Sequence, residues 1–235
     1  MPDAPGRWRL PDLPRPRLSP APSPTGAREE GAGRPRPTRS LTAARRSLRA
    51  WASAQPGLIG NGRALRISGQ QYLNVPYAAA INPAEFSVEV WARVAGSQGT
   101  YRSPFTSRFN VPTQGYALYV TPSNRWELYV GDGTALEWQP TSGGDAVVLG
   151  RTYHVVAAFG AGSVRLYVNG AMVASRTGVT LRTNARGGGR IGAGATEYPA
   201  GADYFFDGVL DELAVYGRPL GADEVTAHWT HGSGL

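Results

Sequence analysis

The sequence predicts an all-β protein, a two-sheet antiparallel sandwich preceded by an extended arm. Three observations carry that reading. Val209, Leu213 and Val215 alternate on one face of a late run while Leu210, Ala214 and Tyr216 alternate on the other, so this strand is expected to be covered on both sides, as an inner strand of stacked sheets is. Asn169-Gly170 separates the apolar runs 164–168 and 172–175, and both central residues of a type I′ hairpin turn need positive φ. Turn signals recur at 96–99, 122–124, 131–133, 142–144, 160–162 and 187–189 with no long helical period between them, which is the spacing of a sandwich or barrel.

Pro219 ends the ladder that starts after Phe206-Asp207-Gly208. Asp223 and Glu224 then stand in the first turn of a short helix, where exposed backbone N–H groups favour carboxylates, and Val225 and Trp229 give it an apolar stripe.

The chain divides by composition into an arm, residues 1–55, and a folded domain, residues 58–235. Residues 1–50 hold ten of the nineteen prolines and no isoleucine, valine, phenylalanine or tyrosine. Such a stretch buries too little apolar surface to offset its ordering entropy, so on its own it is expected to be disordered or polyproline-like. It carries eleven arginines against four acids, a net of +7, whereas residues 51–235 carry thirteen of each and balance. The basic residues are all arginine, whose planar fork binds carboxylates and phosphates bidentately.

Within the arm, residues 38–52 read as a basic amphipathic helix with Leu41, Leu48 and Trp51 on its apolar stripe and Arg45, Arg46 and Arg49 off it. It reads either as a linker helix packed on the sandwich or as a docking element, with membrane surface or nucleic acid as further partners. Arg15, Arg17, Arg34 and Arg36 sit in the Arg-Pro repeats and join those helix residues as the candidate partner-docking set. With Trp8 and Trp51 as the arm's two aromatics, nonspecific nucleic-acid binding is the most it supports, and sequence-specific binding is not expected. No apolar run is long enough for a secretory core or a membrane span, and cysteine is absent.

In their order, residues 64–67 with 72–76, 86–91, the 115–120, 153–157 and 164–170 runs, Arg190-Ile191-Gly192 and the Phe206-Asp207-Gly208-Val209-Leu210-Asp211-Glu212 tail resemble the laminin-G-like, concanavalin-A-like family of lectin and glucanase jelly rolls, over about residues 58–231, and the resemblance implies an opening hairpin at 64–76 and the next long strand at 86–91. The sequence departs from the family's wording at Ser68, where an Asp is frequent, at Tyr153, where a Trp is common, and at Gly221, where a Ser cap is usual. The resemblance implies a jelly-roll sandwich whose rim loops hold glycans or proteins through aromatic stacking and polar groups. Rim candidates are Tyr101, Arg102, Phe105, Arg108 and Phe109 in the 99–114 segment, Trp138 beside Pro140, and Tyr198. Trp91, Trp126, Tyr119, Phe159 and Tyr167 lie in regular strands and are read as packing residues. The resemblance also raises a structural calcium ion, for which Asp203, Asp207 and Asp211 are the available hard oxygen ligands. No other cofactor is expected.

No catalytic residue is assigned. The Glu-x-Asp-x-x-Glu strand of the related glucanases is missing, and the pairs Asp207 with Asp211 and Glu85 with Glu89 read as turn anchors or solvent-facing strand residues. His154 reads as a hydrogen-bonded strand end, and His228 and His231 have no cysteine or acid cluster near them in sequence. Three function classes follow: a non-enzymatic binding and structural module fixed to a larger assembly by the arm, such as a bacteriophage capsid decoration or tail protein; a free carbohydrate-binding or adhesion lectin; and a glycan hydrolase. The first places the chain on a virion surface; the second, in the cytoplasm or outside the cell by a route without a signal peptide.

Overall fold

The alternating runs fold as strands, with two departures from expectation: Ser142 and Gly143 are paired strand residues and not a turn, and the runs 64–67 and 72–76 do not pair as a hairpin but enter different sheets. The computed structural model describes residues 7–9, 53–134, 137–195 and 202–234. In chain order the strands are β1 (Arg7–Arg9), β2 (Ser53–Pro56), β3 (Arg63–Ile67), β4 (Leu73–Val75), β5 (Phe86–Val94), β6 (Arg102–Phe109), β7 (Gln114–Val120), β8 (Trp126–Gly131) and β9 (Trp138–Gly143). They continue with β10 (Thr152–Gly160), β11 (Ser163–Val168), β12 (Ala171–Thr177), β13 (Gly189–Ile191), β14 (Gly194–Ala195), β15 (Ala202–Asp203) and β16 (Gly208–Tyr216), followed by helix α1 (Ala222–Ser233). One sheet runs β12-β11-β10-β5-β16-β3-β2 with β1 also paired to β16; the other runs β4-β13-β6-β7-β8-β9, and β14 and β15 form a small ribbon. Every pairing is antiparallel, and the two main sheets stack as a jelly-roll sandwich.

β5 shows how the code is satisfied. Phe86, Val88, Val90, Ala92 and Val94 enter the core between the sheets, and the residues between them point to the opposite face. Tyr116, Leu118 and Val120 from β7 and Trp126, Leu128 and Val130 from β8 meet them from the second sheet, with Phe86 stacked on Tyr116 at 4.1 Å between centroids. The Asn169-Gly170 hairpin forms as expected, with φ of 51° and 81°.

β16 is covered on both sides, but not with the faces that simple alternation assigns. A bulge between Asp211 and Ala214, with Glu212 at φ 46°, places one extra residue in the strand and inverts its facing. Leu210 therefore joins Leu213 and Val215 in the core, while Ala214 and Tyr216 face outward into a second cluster with Val156, Ala158, Tyr167, Leu220 and Val225. α1 supplies Val225 to that layer and lays Trp229 on Trp91, 5.3 Å between stacked rings. Gly232 is needed there, since a Cβ would lie 2.2 Å from the Trp91 ring. At its start Glu224 accepts from the Gly221 N–H at 3.0 Å and pairs with Arg218 at 2.6 Å, so the helix keeps half of a capping box although Gly221 has no side chain to complete it.

Two strands come from the segment that composition assigns to the arm. β2 adds to the β3 edge, and β1 pairs Arg7, Trp8 and Arg9 with Tyr216, Val215 and Ala214, along the part of β16 that β3, paired only to 208–210, leaves uncovered. Residues 38–52 as a helix, and the docking candidates Arg15, Arg17, Arg34, Arg36, Leu41, Arg45, Arg46, Leu48, Arg49 and Trp51, lie outside the described residues. No helix among the described residues is long and apolar enough to cross a membrane.

Candidate functional site

The 99–114 segment, which reads from sequence as a rim loop, is largely strand β6. Pro104 disguises it: the proline, which has no N–H for a ladder, is accommodated at a register shift between Arg102 and Phe105. Beyond that shift β6 alternates regularly. Phe105 pairs with Leu118 on the core side, while Arg108 pairs with Gly115 on the outer side. The same rule puts Tyr119 of β7, Tyr129 of β8 and Trp138 of β9 on the outer face of the six-stranded sheet. Together with Tyr101, Asn110 and Tyr204 they line a cavity of about 230 Å³.

Aromatic edges and hydroxyls organise this cavity. Tyr101 and Tyr129 share a hydrogen bond between hydroxyls at 3.1 Å, and Arg108 Nη1 donates to the Tyr119 hydroxyl at 2.9 Å. The Arg108 guanidinium also lies over the Trp138 ring, 4.9 Å from its centroid. Tyr101 packs edge-on against Tyr119, Tyr129 and Tyr204, and Trp138 edge-on against Tyr129. Burial pushes the Tyr119 and Tyr129 hydroxyls well above the usual phenol range, so both stay neutral and keep a proton to donate. Burial likewise raises the Glu127 carboxyl, which hydrogen-bonds Tyr129 and Ser142 just outside the lining.

Of the residues that the sequence offers for a ligand, the fold brings Tyr101, Arg108 and Trp138 together and sends three others elsewhere: Phe109 pairs with Gln114 at the end of β6, outside the lining. Phe105 is a core residue. Arg102 is fully buried, its guanidinium donating to Gly96 O and Thr121 O at 3.2 Å and to Asn124 Oδ1 at 2.5 Å, and burial lowers its pKa. It braces two loops from inside and does not reach the cavity. Tyr198 lies outside the described residues. Sequence reasoning misses Tyr129, Tyr204 and Asn110 as cavity residues and assigns Tyr119 to packing. The signal that would find Tyr119 and Tyr129 is the parity they share with Arg108 and Trp138 once the strands are paired; Asn110 and Tyr204 lie outside the paired strands and carry no such signal.

The carboxylates have other work. Asp211 Oδ2 accepts from the Leu58 and Ile59 amides at 2.8 and 3.4 Å and Oδ1 from Glu212 N at 3.0 Å; Asp207 pairs with Arg66 at 3.1 Å; Asp203 accepts from Tyr204 N at 2.7 Å. Asp203, Asp207 and Asp211 are thus engaged separately, and among the described residues no three His, Cys, Asp or Glu side chains converge on a common point. Ser68, in place of the frequent Asp, turns to Gln71. Glu85 accepts from Ala161 N.

Glu89 is the exception to the solvent-facing reading. It is 3 % exposed, and it receives Tyr216 Oη at 2.5 Å, His154 Nε2 at 2.8 Å and His228 Nδ1 at 2.9 Å. Burial works to raise its pKa, but the three hydrogen bonds and the His228 charge outweigh it and hold the carboxyl at about 2. His154 thus has the structural role expected of it, and His228, 139 residues from Glu89 in sequence, has an acidic partner that its own neighbourhood does not show.

Comparison with known proteins places the chain. Among solved structures it is similar to the carbohydrate-binding module CBM40 of the Ruminococcus gnavus IT-sialidase bound to α2,3 sialyllactose, at TM-score 0.58 and 14 % identity over 70 % of this chain and 95 % of that one. It is also similar to the binding domain of Paraclostridial Mosquitocidal Protein 1, at TM-score 0.60 and 14 % identity over 77 % of this chain and 46 % of that one. Domain 4 of the arabinanase AbnA from Geobacillus stearothermophilus, in complex with arabinotriose, gives TM-score 0.54 and 21 % identity over 75 % and 80 %. At such identities the likeness is one of fold. No curated protein matches. A family model described as the concanavalin A-like lectin/glucanases superfamily matches residues 68–226, and the chain belongs to that superfamily.

Proposed function

We propose that the chain is a non-catalytic glycan-binding module whose ligand enters the tyrosine-lined cavity on the outer face of the six-stranded sheet. The observation that carries this reading is the lining itself: among the described residues it consists of four tyrosines, a tryptophan, an arginine and an asparagine, with no carboxylate. Such a surface offers apolar ring faces and edges to the C–H side of a sugar and neutral donors to its hydroxyls. It offers no pair of carboxylates flanking a glycosidic bond, the arrangement that most glycoside hydrolases use. The sialyllactose and arabinotriose complexes of the structural neighbours support the class of ligand. Attachment to a larger assembly, a virion being one setting, is the part of the proposal that rests on the net +7 of residues 1–50.

The test is a glycan array read with the full chain and with Trp138→Ala. The expected result is saccharide binding that falls at least tenfold in the variant, about 1.4 kcal/mol, with no release of reducing sugar from any bound glycan. Hydrolysis by the wild type, or binding indifferent to Trp138, overturns the proposal.

A further inference from the structure

Tyr204 stands in the cavity lining on a backbone that tyrosine rarely takes. Its φ is 52°, in the left-handed region where a bulky side chain is an outlier and glycine or asparagine is at ease. The other non-glycine residues with positive φ among the described ones are Ser97, Asn124, Ala161, Asn169 and Glu212. The first four are small or amide side chains between strands, and Glu212 is the β16 bulge. A turn at 204 would be served by the same choices. Nor does the ring complete the core, since it belongs to neither apolar cluster and is half-buried.

The backbone around Tyr204 is fixed without the side chain. Tyr204 N–H donates to Asp203 Oδ1 at 2.7 Å, and Tyr204 O accepts from Ser103 N–H at 2.9 Å. Further on, Phe206 N–H donates to Gly192 O at 2.9 Å and Ala95 N–H to Asp207 O at 2.8 Å. These bonds pin the segment between β15 and β16 whatever residue stands at 204. Gly194 makes room for the ring: a Cβ there would lie 2.7 Å from Tyr204 Cδ2 and 3.1 Å from the Tyr119 hydroxyl. Gly194 is not among the glycines with positive φ, so the space and not its backbone accounts for it. Seated there, the Tyr204 ring packs edge-on against Tyr101 at 5.8 Å and Tyr119 at 5.7 Å and joins the lining. Strained residues cluster at ligand clamps, where the surrounding structure holds them in place. Resting on the glycan reading above, we infer that Tyr204 is a ligand-contacting residue, its ring set against backbone preference before the saccharide arrives and presenting an apolar surface to it.

The test reads the full chain, Tyr204→Asn, Tyr204→Phe and Trp138→Ala on a glycan array that includes sialyllactose and arabinotriose, then titrates the best-bound array glycan by calorimetry beside thermal melts. Asparagine suits the left-handed backbone and removes the ring; phenylalanine keeps the ring. Tyr204→Asn is expected to melt within about 4 °C of the wild type and to bind at least about tenfold more weakly, while Tyr204→Phe stays within about threefold. A smaller loss in Tyr204→Asn overturns the inference, and the glycan reading stands as long as Trp138→Ala still binds about tenfold more weakly. A larger drop in midpoint, or a variant that does not fold, also overturns it, because the ring is then needed by the fold. A Tyr204→Phe loss as large as that of Tyr204→Asn overturns the assignment to the ring. If no array glycan binds the wild type, this inference and the glycan reading both fall.

Discussion

The outer faces of the two sheets make opposite use of the same materials. On the eight-stranded sheet, aromatic rings and polar groups are roofed by α1: Trp229 lies on Trp91 and His228 reaches Glu89. On the six-stranded sheet, the comparable set of Tyr101, Tyr119, Tyr129, Trp138 and Arg108 surrounds a cavity, with no helix laid over it among the described residues. Where a second layer arrives, the polar groups saturate one another; a buried carboxylate that receives three donors has nothing left to offer a ligand, and its contribution is to stability. Where none arrives, the Tyr101–Tyr129 and Arg108–Tyr119 pairs border open space, and a ligand can reach them from that side. The difference teaches that on this sandwich a polar aromatic cluster reads as a binding site by the absence of a cover, and composition alone does not distinguish the two.

The largest expected effect breaks the covered side. Glu89→Ala removes the acceptor from Tyr216, His154 and His228 together and leaves a buried imidazole without its partner, a change that costs about 3–5 kcal/mol where buried pairs have been broken. Chemical denaturation measures it, and saccharide binding by the remaining folded fraction is expected to be unchanged. A weaker affinity in that folded fraction would show that the two faces are coupled.

The pH dependence sharpens the same contrast. Glu89 is held at about 2 against an ordinary 4.5, so its contribution is present above pH 4.5 and is lost as pH falls toward 2. It amounts to about 3 kcal/mol at ~1.4 kcal/mol per unit. His228 is raised above its ordinary 6.5 by Glu89, so its contribution is complete below pH 6.5 and lost as pH climbs through the raised value; its side chain is 38 % exposed, and screening keeps that limb below about 1 kcal/mol. Denaturation midpoints are expected to be highest near pH ~5–6, to fall steeply in acid and gently in alkali. His228→Asn is expected to flatten the alkaline limb.

Much of the sandwich is legible in the sequence because alternation and turn chemistry are local. Asn169-Gly170 needs only its own φ values, and the core residues of β5, β7 and β8 follow from period two. What stays hidden depends on which strands meet. The β16 bulge is defined by its register against β5, so the strand alone cannot reveal that Leu210 and Leu213 share a face. Pro104 gives β6 the look of a loop, and that look draws Arg102 and Phe105 to the surface with it. Tyr101, Arg108 and Trp138 are within reach of sequence reasoning because they flank turn-rich segments, whereas Tyr119 and Tyr129 sit mid-strand on a face whose exposure is set by where α1 does and does not go. His228 and Glu89 cannot be paired from either neighbourhood.

A smaller effect separates the sheet from its N-terminal strand. β1 contributes only a three-residue ladder at the open part of β16, and β2, Ser53–Pro56, is retained when residues 1–50 are deleted. That deletion is expected to preserve a single cooperative thermal transition with β-type circular dichroism, lowering the midpoint by a few degrees, since about 1 kcal/mol moves a domain of this size by roughly 2–4 °C. Loss of cooperativity would instead make the first fifty residues part of the folding unit.

The smallest expected change lies on the uncovered side, in Tyr101→Phe. The substitution keeps the edge-on packing of the ring against Tyr119, Tyr129 and Tyr204 and removes only the 3.1 Å hydroxyl bond to Tyr129. Tyr101 is half-buried and Tyr129 retains Glu127 as a partner, so stability should fall by no more than about 0.5 kcal/mol, at the low end for a hydrogen bond that solvent can replace. The cavity, however, loses one of its few donors at a wall where neutral hydroxyls do the recognising. Saccharide affinity is therefore expected to drop about three- to tenfold at nearly constant midpoint, the reverse of the Glu89→Ala pattern. Equal losses in both measurements would place Tyr101 with the packing residues and move the recognition surface toward Trp138.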